Sequence, residues 1–424
     1  MGQEADDSQA ASRRRVAGTT TDVDILVVGS GPVGLAAALH LDSLGYDVAV
    51  VAPAARPDDH RTAALLAGSV SFLEELGVWP IVADQSAPLR SLRIVDATRR
   101  LIRAPEVLFH ASEIGLDAFG YNIANAVLTG GLDRLNADRG ITRIAASVEK
   151  VAVDDDGNVA ARLDNGETIT ARLVAAADGR RSRIRDGVGI RVREWRYDQS
   201  ALVTNISHEL PHADTSTEFH TENGPFTLVP LPGNRSSLVW VDRPAAAKRR
   251  VEMPAAALAA EIEARSESIL GKVALDGPAQ VFPLSGMGVA AFAAPRAALL
   301  GEAAHLFPPI GAQGLNLGYR DVAALGDALA GPAADPGRAD GLAAYDRARR
   351  ADIYTRTAAV DALNRTLLTG FLPVQAMRGL GLFLLDRVPV LRQAIMRQGV
   401  AAPLPPTASG TDRPAGRRSA KEPA

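Results

Sequence analysis

The chain has 424 residues, 47% apolar and 22% charged, enough to bury the cores of two or three structural units. Forty-six basic against 49 acidic side chains leave a net charge of -3, which argues against a general electrostatic grip on nucleic acid, since that needs an excess of Lys and Arg. No Cys is present, so disulfide frameworks, thiolate metal sites and cysteine nucleophiles are excluded.

The first 22 residues mix Arg13 to Arg15 with Glu4, Asp6 and Asp7 and carry no apolar stretch, so they read as a disordered tail rather than a secretory signal. A short apolar run, Ile25 to Val28, predicts a buried strand. It is followed at once by Gly29, Ser30, Gly31, Pro32, Val33 and Gly34, then by a helix pattern from Leu35 to Leu44 and a second strand from Val48 to Val51. Strand, G-x-G-x-x-G turn, helix and strand form a dinucleotide-binding unit. The first glycine permits the tight turn, the second lets backbone approach a pyrophosphate, and the third lets helix and strand pack closely. The helix N-terminus then offers free N–H groups and the positive end of a dipole to the phosphates. The acidic residue that usually grips a ribose falls at Ala52, with Asp58 and Asp59 as alternatives in the following loop.

Strand–turn–strand patterns occupy 151–163, and Asn165-Gly166 marks another hairpin. A strand from Thr168 to Ala177 ends in Asp178-Gly179. Strand-like runs follow at Ala201 to Ile206, Phe226 to Leu231 and Ser237 to Val241, with a polar linker carrying histidines, and a helix pattern covers Pro254 to Ala264. His208 and His212 have the spacing of a metal pair, but Pro211 breaks any helix that would put both on one face and no third ligand presents itself; no metal site is expected. Arg180, Arg181, Arg183 and Arg185 read as a solvated helix face. Ala297 to Leu300 reads as a buried strand closed by Gly301-Glu302, followed by helices from Leu315 to Leu329 and from Gly341 to Leu368. No run of 18 apolar residues appears, so no membrane-spanning helix is expected.

Gly29 to Gly34, Asp178-Gly179 and the stretch from Gly301 through Pro308, Pro309, Gly311, Gly314, Leu315 and Asn316 to Gly318 together resemble the class A FAD-dependent aromatic hydroxylases, the p-hydroxybenzoate hydroxylase group, over residues 24 to about 400. Within that group the sequence is most similar to the ubiquinone-biosynthesis hydroxylases. The likeness rests on Arg61 to Leu65, Leu76 to Trp79, Glu218-Phe219, Gly224-Pro225, Val229 to Leu231 and Val239-Trp240.

The resemblance implies an α/β fold: a Rossmann-like FAD-binding domain made of 23–95, 120–185 and 285–335, an inserted mixed-sheet substrate domain of 96–119 and 186–284, a C-terminal helical region of 336–400, and a tail over 401–424. It implies FAD as cofactor and NAD(P)H as co-substrate. Gly29, Ser30, Gly31, Pro32, Val33 and Gly34 take the pyrophosphate, and Asp178 and Gly179 form the second fingerprint. Arg61 and Asn125 line the phosphate or ribityl wall, and Glu302 stands where relatives carry a ribityl-binding Asp. Gly311, Gly314, Leu315 and Asn316 edge the flavin ring. His305 and Pro309 are the catalytic candidates, His305 more readily as a structural group. The expected reaction is hydroxylation of a polyprenylated phenol in ubiquinone biosynthesis, with an accessory flavoprotein of a biosynthetic complex, or a hydroxylase of another small aromatic, as alternatives. A cytoplasmic location follows, with peripheral contact at the inner face of a membrane through the apolar 367–400 segment and its Arg378, Arg387 and Arg392.

Overall fold

Apolar runs without polar interruption can be buried on both faces, and here they build a parallel sheet. The computed structural model describes residues 20–54, 59–98, 105–153, 157–308, 312–329, 331, 334–368, 392–393 and 396–397. Strands Ala297–Leu299, Thr168–Ala176, Thr20–Val28, Val48–Ala52 and Thr142–Ala145 lie side by side in that order, all parallel. Ile25, Leu26 and Val27 are fully buried, each contributing about 1.5–3 kcal/mol relative to exposure. Helices Pro32–Ser43, Asn125–Asp138 and Gln313–Ala328 pack together beside this sheet. The first strand begins at Thr20, paired with Thr168, so the expected tail is shorter than 22 residues.

A second sheet of nine strands is built mainly from the insertion. Its ordered path runs His305–Leu306, Gln280–Val289, Val192–His208, Arg235–Asp242, Gly224–Leu231, Thr215–Thr221, Ser91–Asp96 and Val107–His110, with Val273–Leu275 added beside Val192–His208. The expected domain boundaries shift accordingly. Ser91–Asp96 belongs to this sheet rather than to the cofactor-binding segment, and Gln280–Val289 runs straight across the expected junction at 284–285. The expected polar linker contains a strand of its own, Thr215–Thr221, and a helix missed by pattern, Pro244–Val251, precedes Ala255–Arg265.

Alternation gives this sheet two different faces. On one, Leu202, Ile206, Phe226, Leu228, Leu238 and Trp240 pack against Leu258 and Ile262 of helix Ala255–Arg265. Arg250 lies 3.8 Å over the Trp240 ring and is held by Asp242 and Glu261 at 2.7 and 2.8 Å. The other face carries half-buried Leu92, Ile94, Val203, Thr227, Val229 and Val239. It meets the first unit at Thr62 Oγ1–Ser237 Oγ, 3.0 Å, and at the bond from Asn205 Nδ2 to the His60 carbonyl, 3.1 Å. Between the two units sits a small sheet of Thr62–Leu66, Gly120–Ala124 and Ser86–Pro88, tied to the large one by Asn122 Nδ2 donating to the Pro230 carbonyl.

Helix Ala339–Leu368 closes the described C-terminal region. Most of the apolar segment expected to touch a membrane lies outside the described residues, as do residues 401–424. Arg392 is described, and it does not face outward: it pairs with Glu113 at 2.6 Å and lies 4.5 Å over the Phe109 ring. Among the described residues, no helix is long and apolar enough to cross a membrane.

Candidate functional site

The three sequence motifs meet because they follow three neighbouring parallel strands. Val28 runs into Gly29, Ala176 into Asp178-Gly179, and Leu299 into Gly301-Glu302, all at the carboxyl edge of the sheet where α/β proteins bind ligands. The backbone knits the turns together: Gly29 N–H donates to Val51 at 2.8 Å, Ala177 to Val28 at 2.8 Å and Leu300 to Ala176 at 2.8 Å.

The three glycines of the first turn do different work. A Cβ on Gly29, whose φ is +113°, would lie 2.2 Å from the Ala177 carbonyl oxygen, and one on Gly34 would lie 2.0 Å from the Gly29 oxygen. A Cβ on Gly31 meets nothing within 4 Å. Thus the first and third positions are closed by the chain itself and only the second opens outward. Helix Pro32–Ser43 starts beside that opening with no side-chain cap, so its first N–H groups and dipole face the same space. Val33 points the other way, against Gly301 and Gly318, and so locks the glycine turn to the loop after Leu299.

Asp178 serves first as a cap. Its Oδ2 accepts from Arg183 and Ile184 N–H at 2.8 and 3.3 Å, while Oδ1 is buried without a partner among the described residues. Burial pushes its carboxyl above the usual range despite the bonds from Ser182, Ile184 and Arg183. Gly179, at φ +81°, has open space around it. Arg185, expected on a solvated face, is instead 5% exposed and donates to the Arg180 and Ala303 carbonyls at 3.0 and 3.2 Å, bridging the second motif to the third.

The third loop is pinned from behind at alternate residues. Tyr345 Oη donates to the Leu299 carbonyl at 2.6 Å, Asp321 Oδ2 accepts the Gly301 N–H at 2.8 Å, and Arg185 holds Ala303. Asp321 is fully buried and also accepts from His305 Nε2 at 2.7 Å and Arg349 Nε at 2.6 Å. Burial pushes its carboxyl up, but the charges of His305 and Arg349 and the bonds from His305 and Gly301 outweigh that and hold it below the usual range. His305 is therefore sealed behind the loop, 2% exposed, a place that suits a structural role and not proton exchange with a substrate. Glu302 alternates to the exposed side.

Arg61 reaches the same rim, close enough to Glu302 for their charges to interact. Asp59 grips the Arg61 fork through both oxygens at 2.8 Å, and Asn125 Nδ2 donates to it at 3.1 Å. Burial raises the Asp59 carboxyl, and the hydrogen bonds from Arg61 and Asn125 with the Arg61 charge more than reverse this. With both oxygens committed to Arg61, Asp59 orients that cation rather than replacing the ribose-binding acid missing at Ala52. Asp58 lies outside the described residues.

Helix Gln313–Ala328 begins at Ala312, a non-glycine residue at φ +54°, again without a side-chain cap. Asn316 ties this start to its neighbours: Oδ1 accepts from Leu66 N–H at 2.8 Å and Ser69 Oγ at 2.6 Å, and Nδ2 donates to Ala64 at 2.8 Å. Its amide is spent on holding the helix start, which leaves the backbone N–H groups of this turn for a ligand. Gly314 is exposed and Leu315 partly buried. Pro309 and Gly311 lie outside the described residues. The metal spacing of His208 and His212 is used otherwise: His208 bonds the Leu210 carbonyl and Ser236, and His212 the Leu231 and Gly233 carbonyls.

The family model described as "FAD binding domain" matches residues 22–359. Ubiquinone hydroxylase UbiL of Rhodospirillum rubrum is 35% identical, with 89% of each chain covered. The 3-demethoxyubiquinol 3-hydroxylase of Escherichia coli is 35% identical over 89% of this chain and 98% of its own. The chain belongs to the FAD-dependent aromatic hydroxylases. Its fold is shared with p-nitrophenol 4-monooxygenase PnpA of Pseudomonas putida, at a TM-score of 0.74 and 19% identity over 89% of this chain and 98% of that one. The residues of this hydroxylase fit FAD on their own evidence. The opening at Gly31, two uncapped helix starts, an Asp178 Oδ1 without a partner among the described residues and the Arg61–Glu302 rim offer the donors and acceptors a dinucleotide uses.

Proposed function

We propose that this hydroxylase uses NAD(P)H and dioxygen to hydroxylate the ring of a polyprenylated phenol in ubiquinone biosynthesis. One observation carries the reading: the glycine turn and Arg61 rim, which suit FAD, adjoin a half-buried sheet face, in a chain 35% identical to two ubiquinone-pathway hydroxylases. Bound FAD supplies hydride acceptance and dioxygen activation, the chemistry that side chains alone cannot provide.

The chain's own residues do the rest. Gly29, Gly31 and Gly34 shape the pyrophosphate seat, and the N–H groups after Pro32 bind its charge. Arg61, held by Asp59, and Glu302 position the ribityl and phosphate portion. The N-terminus of helix Gln313–Ala328 stabilises negative charge at the ring edge by about 0.3–1 kcal/mol or more when partly buried. Leu92, Ile94, Val229 and Val239 supply an apolar surface that excludes water and suits a prenyl chain. NAD(P)H binds transiently, since the sequence holds one dinucleotide fingerprint. Peripheral membrane contact and association with other enzymes of the pathway fit a lipid-soluble substrate and belong to the same proposal.

The test is the visible spectrum of the purified protein with and without added FAD, followed by NADPH oxidation with detergent-solubilised polyprenylphenols. Flavin bands, phenol-stimulated oxidation and a product heavier by one oxygen atom are the expected results. Bound FAD without turnover supports the accessory-flavoprotein alternative instead.

A further inference from the structure

On the sheet face that meets the cofactor unit, an acid–imidazole pair lies beside half-buried Ile94, Thr227, Val229 and Val239. Glu218 and His220 lie two apart on strand Thr215–Thr221, so they share a face, while Phe219 between them, 1% exposed, points into the helix-covered core. His220 Nε2 lies 2.6 Å from Glu218 Oε1, and the side chains are 10% and 27% exposed. Cross-strand register places Glu218 beside half-buried Ile94 and Thr227, with Thr227 beside Val239, and His220 beside buried Asp96 and Pro225. One step along the strands, Val229 pairs with Ser237, which bonds Thr62 next to Arg61. Along the strand, Glu218 is therefore two residues of rise, about 7 Å, from the row that touches the cofactor segment, and His220 four residues, about 13 Å.

We propose that Glu218 and His220 form the proton-accepting pair for the phenolic hydroxyl of the substrate, an inference that rests on the hydroxylase reading above. The Glu218 carboxylate accepts the Nε2–H of neutral His220 and so fixes the tautomer in which Nδ1 carries the lone pair. Nδ1 makes no hydrogen bond to the described residues. The phenol O–H bond breaks, its proton passes to Nδ1, and its electron pair stays on the phenolate oxygen. The resulting imidazolium is stabilised by Glu218, and the phenolate ring is richer in electrons for oxygen transfer. His220 is the catalytic residue and Glu218 the positioning one. The facing groups are few: Asp96 stands beside His220 on strand Ser91–Asp96 and accepts from Thr98 Oγ1 at 2.6 Å. The neighbours on strands Gly224–Leu231 and Arg235–Asp242 are uncharged Pro225, Thr227, Val229, Ser237 and Val239. Arg93 pairs with Glu106 at 3.2 Å on the opposite face.

The experiment uses the FAD-loaded full chain, His220→Gln and Glu218→Gln, with 2-geranylphenol in detergent micelles as the probe. FAD content and far-ultraviolet circular dichroism establish that each variant is folded. In wild type at pH 7.5 the oxidised protein binds the probe with a phenolate absorbance band, well below the ionisation of a free phenol near pH 10. His220→Gln binds it as neutral phenol, and product formation falls about 10²-fold or more. Glu218→Gln falls less and weakens the phenolate band, because His220 loses the carboxylate that holds its Nε2–H. A His220→Gln variant that keeps the band or the wild-type rate overturns the proposal, as does wild type hydroxylating the probe without any phenolate band. A phenolate band that His220→Gln abolishes, with no product from wild type, overturns the hydroxylase reading and leaves the proton-accepting pair standing. No binding of the probe to wild type overturns both.

Discussion

Gly31 and Gly34 separate ligand contact from chain packing within one turn. Gly31 has φ −73° and ψ 173°, extended backbone that alanine adopts freely, and an added methyl meets no atom of the protein. Gly31→Ala should therefore leave the stability of the apoprotein within about 0.5 kcal/mol of wild type, the small entropic gain offsetting a weaker helix cap. Its FAD affinity should fall at least tenfold, because the methyl occupies the approach to the phosphates. Gly34→Ala drives a methyl to 2.0 Å from the Gly29 oxygen and should destabilise the apoprotein itself by about 1–3 kcal/mol. Urea unfolding of both apoproteins beside a fluorescence titration with FAD distinguishes the two. Equal loss of stability in both variants would mean the second glycine also serves packing. Such positions were legible in the sequence because the steric demand is local. Asp321, Tyr345 and Arg185 were not, since each acts on a backbone group far away in the chain, and neither was Arg349, which clasps the Asp321 carboxylate. The Glu218–His220 pair left a faint trace, two polar residues at strand spacing, hidden by the polar composition of Thr215–Thr221.

At the scale of elements, helices Pro32–Ser43 and Gln313–Ala328 approach so closely that a Cβ on Gly326 would lie 2.2 Å from His40 Nε2. His40 is 4% exposed, edge-on to Phe72 at 5.4 Å, and burial pushes its pKa from 6.5 down to about 4. Between those values the unfolded chain binds a proton that the folded chain refuses, so stability falls as pH drops through the window. The loss should approach about 3 kcal/mol across it. His40→Leu should flatten that slope, read as denaturation midpoints at pH 7, 5.5 and 4; an unchanged slope would place the acid sensitivity elsewhere. The helices and parallel strands were readable from period and glycine stops, because their cores are apolar throughout. The boundary between units was not. Ser91–Asp96 pairs with Thr215–Thr221, and Gln280–Val289 with Val192–His208, across long stretches of chain, and one-dimensional patterning carries no register.

Across the whole molecule, the nine-stranded sheet is joined to the small sheet and the loop before it by hydrogen bonds at Thr62–Ser237, His60–Asn205 and Asn122–Pro230, next to the cofactor rim. Binding to the native state alone stabilises by mass action, about 2.7 kcal/mol at a hundredfold excess over Kd. FAD should therefore raise a single calorimetric transition that includes both sheets. Two transitions, only one responsive to FAD, would show that they unfold independently.

The loop bearing Glu302 is held at Leu299 by Tyr345, at Gly301 by Asp321 and at Ala303 by Arg185, and Asp321 is itself clasped by Arg349. Two of these four, Tyr345 and Arg349, belong to helix Ala339–Leu368, made long after the glycine turn. On the ribosome, the nucleotide turn thus emerges early and waits. The cradle acquires its final shape only when that late helix is free to fold back, so cofactor loading belongs to the close of synthesis rather than to its beginning.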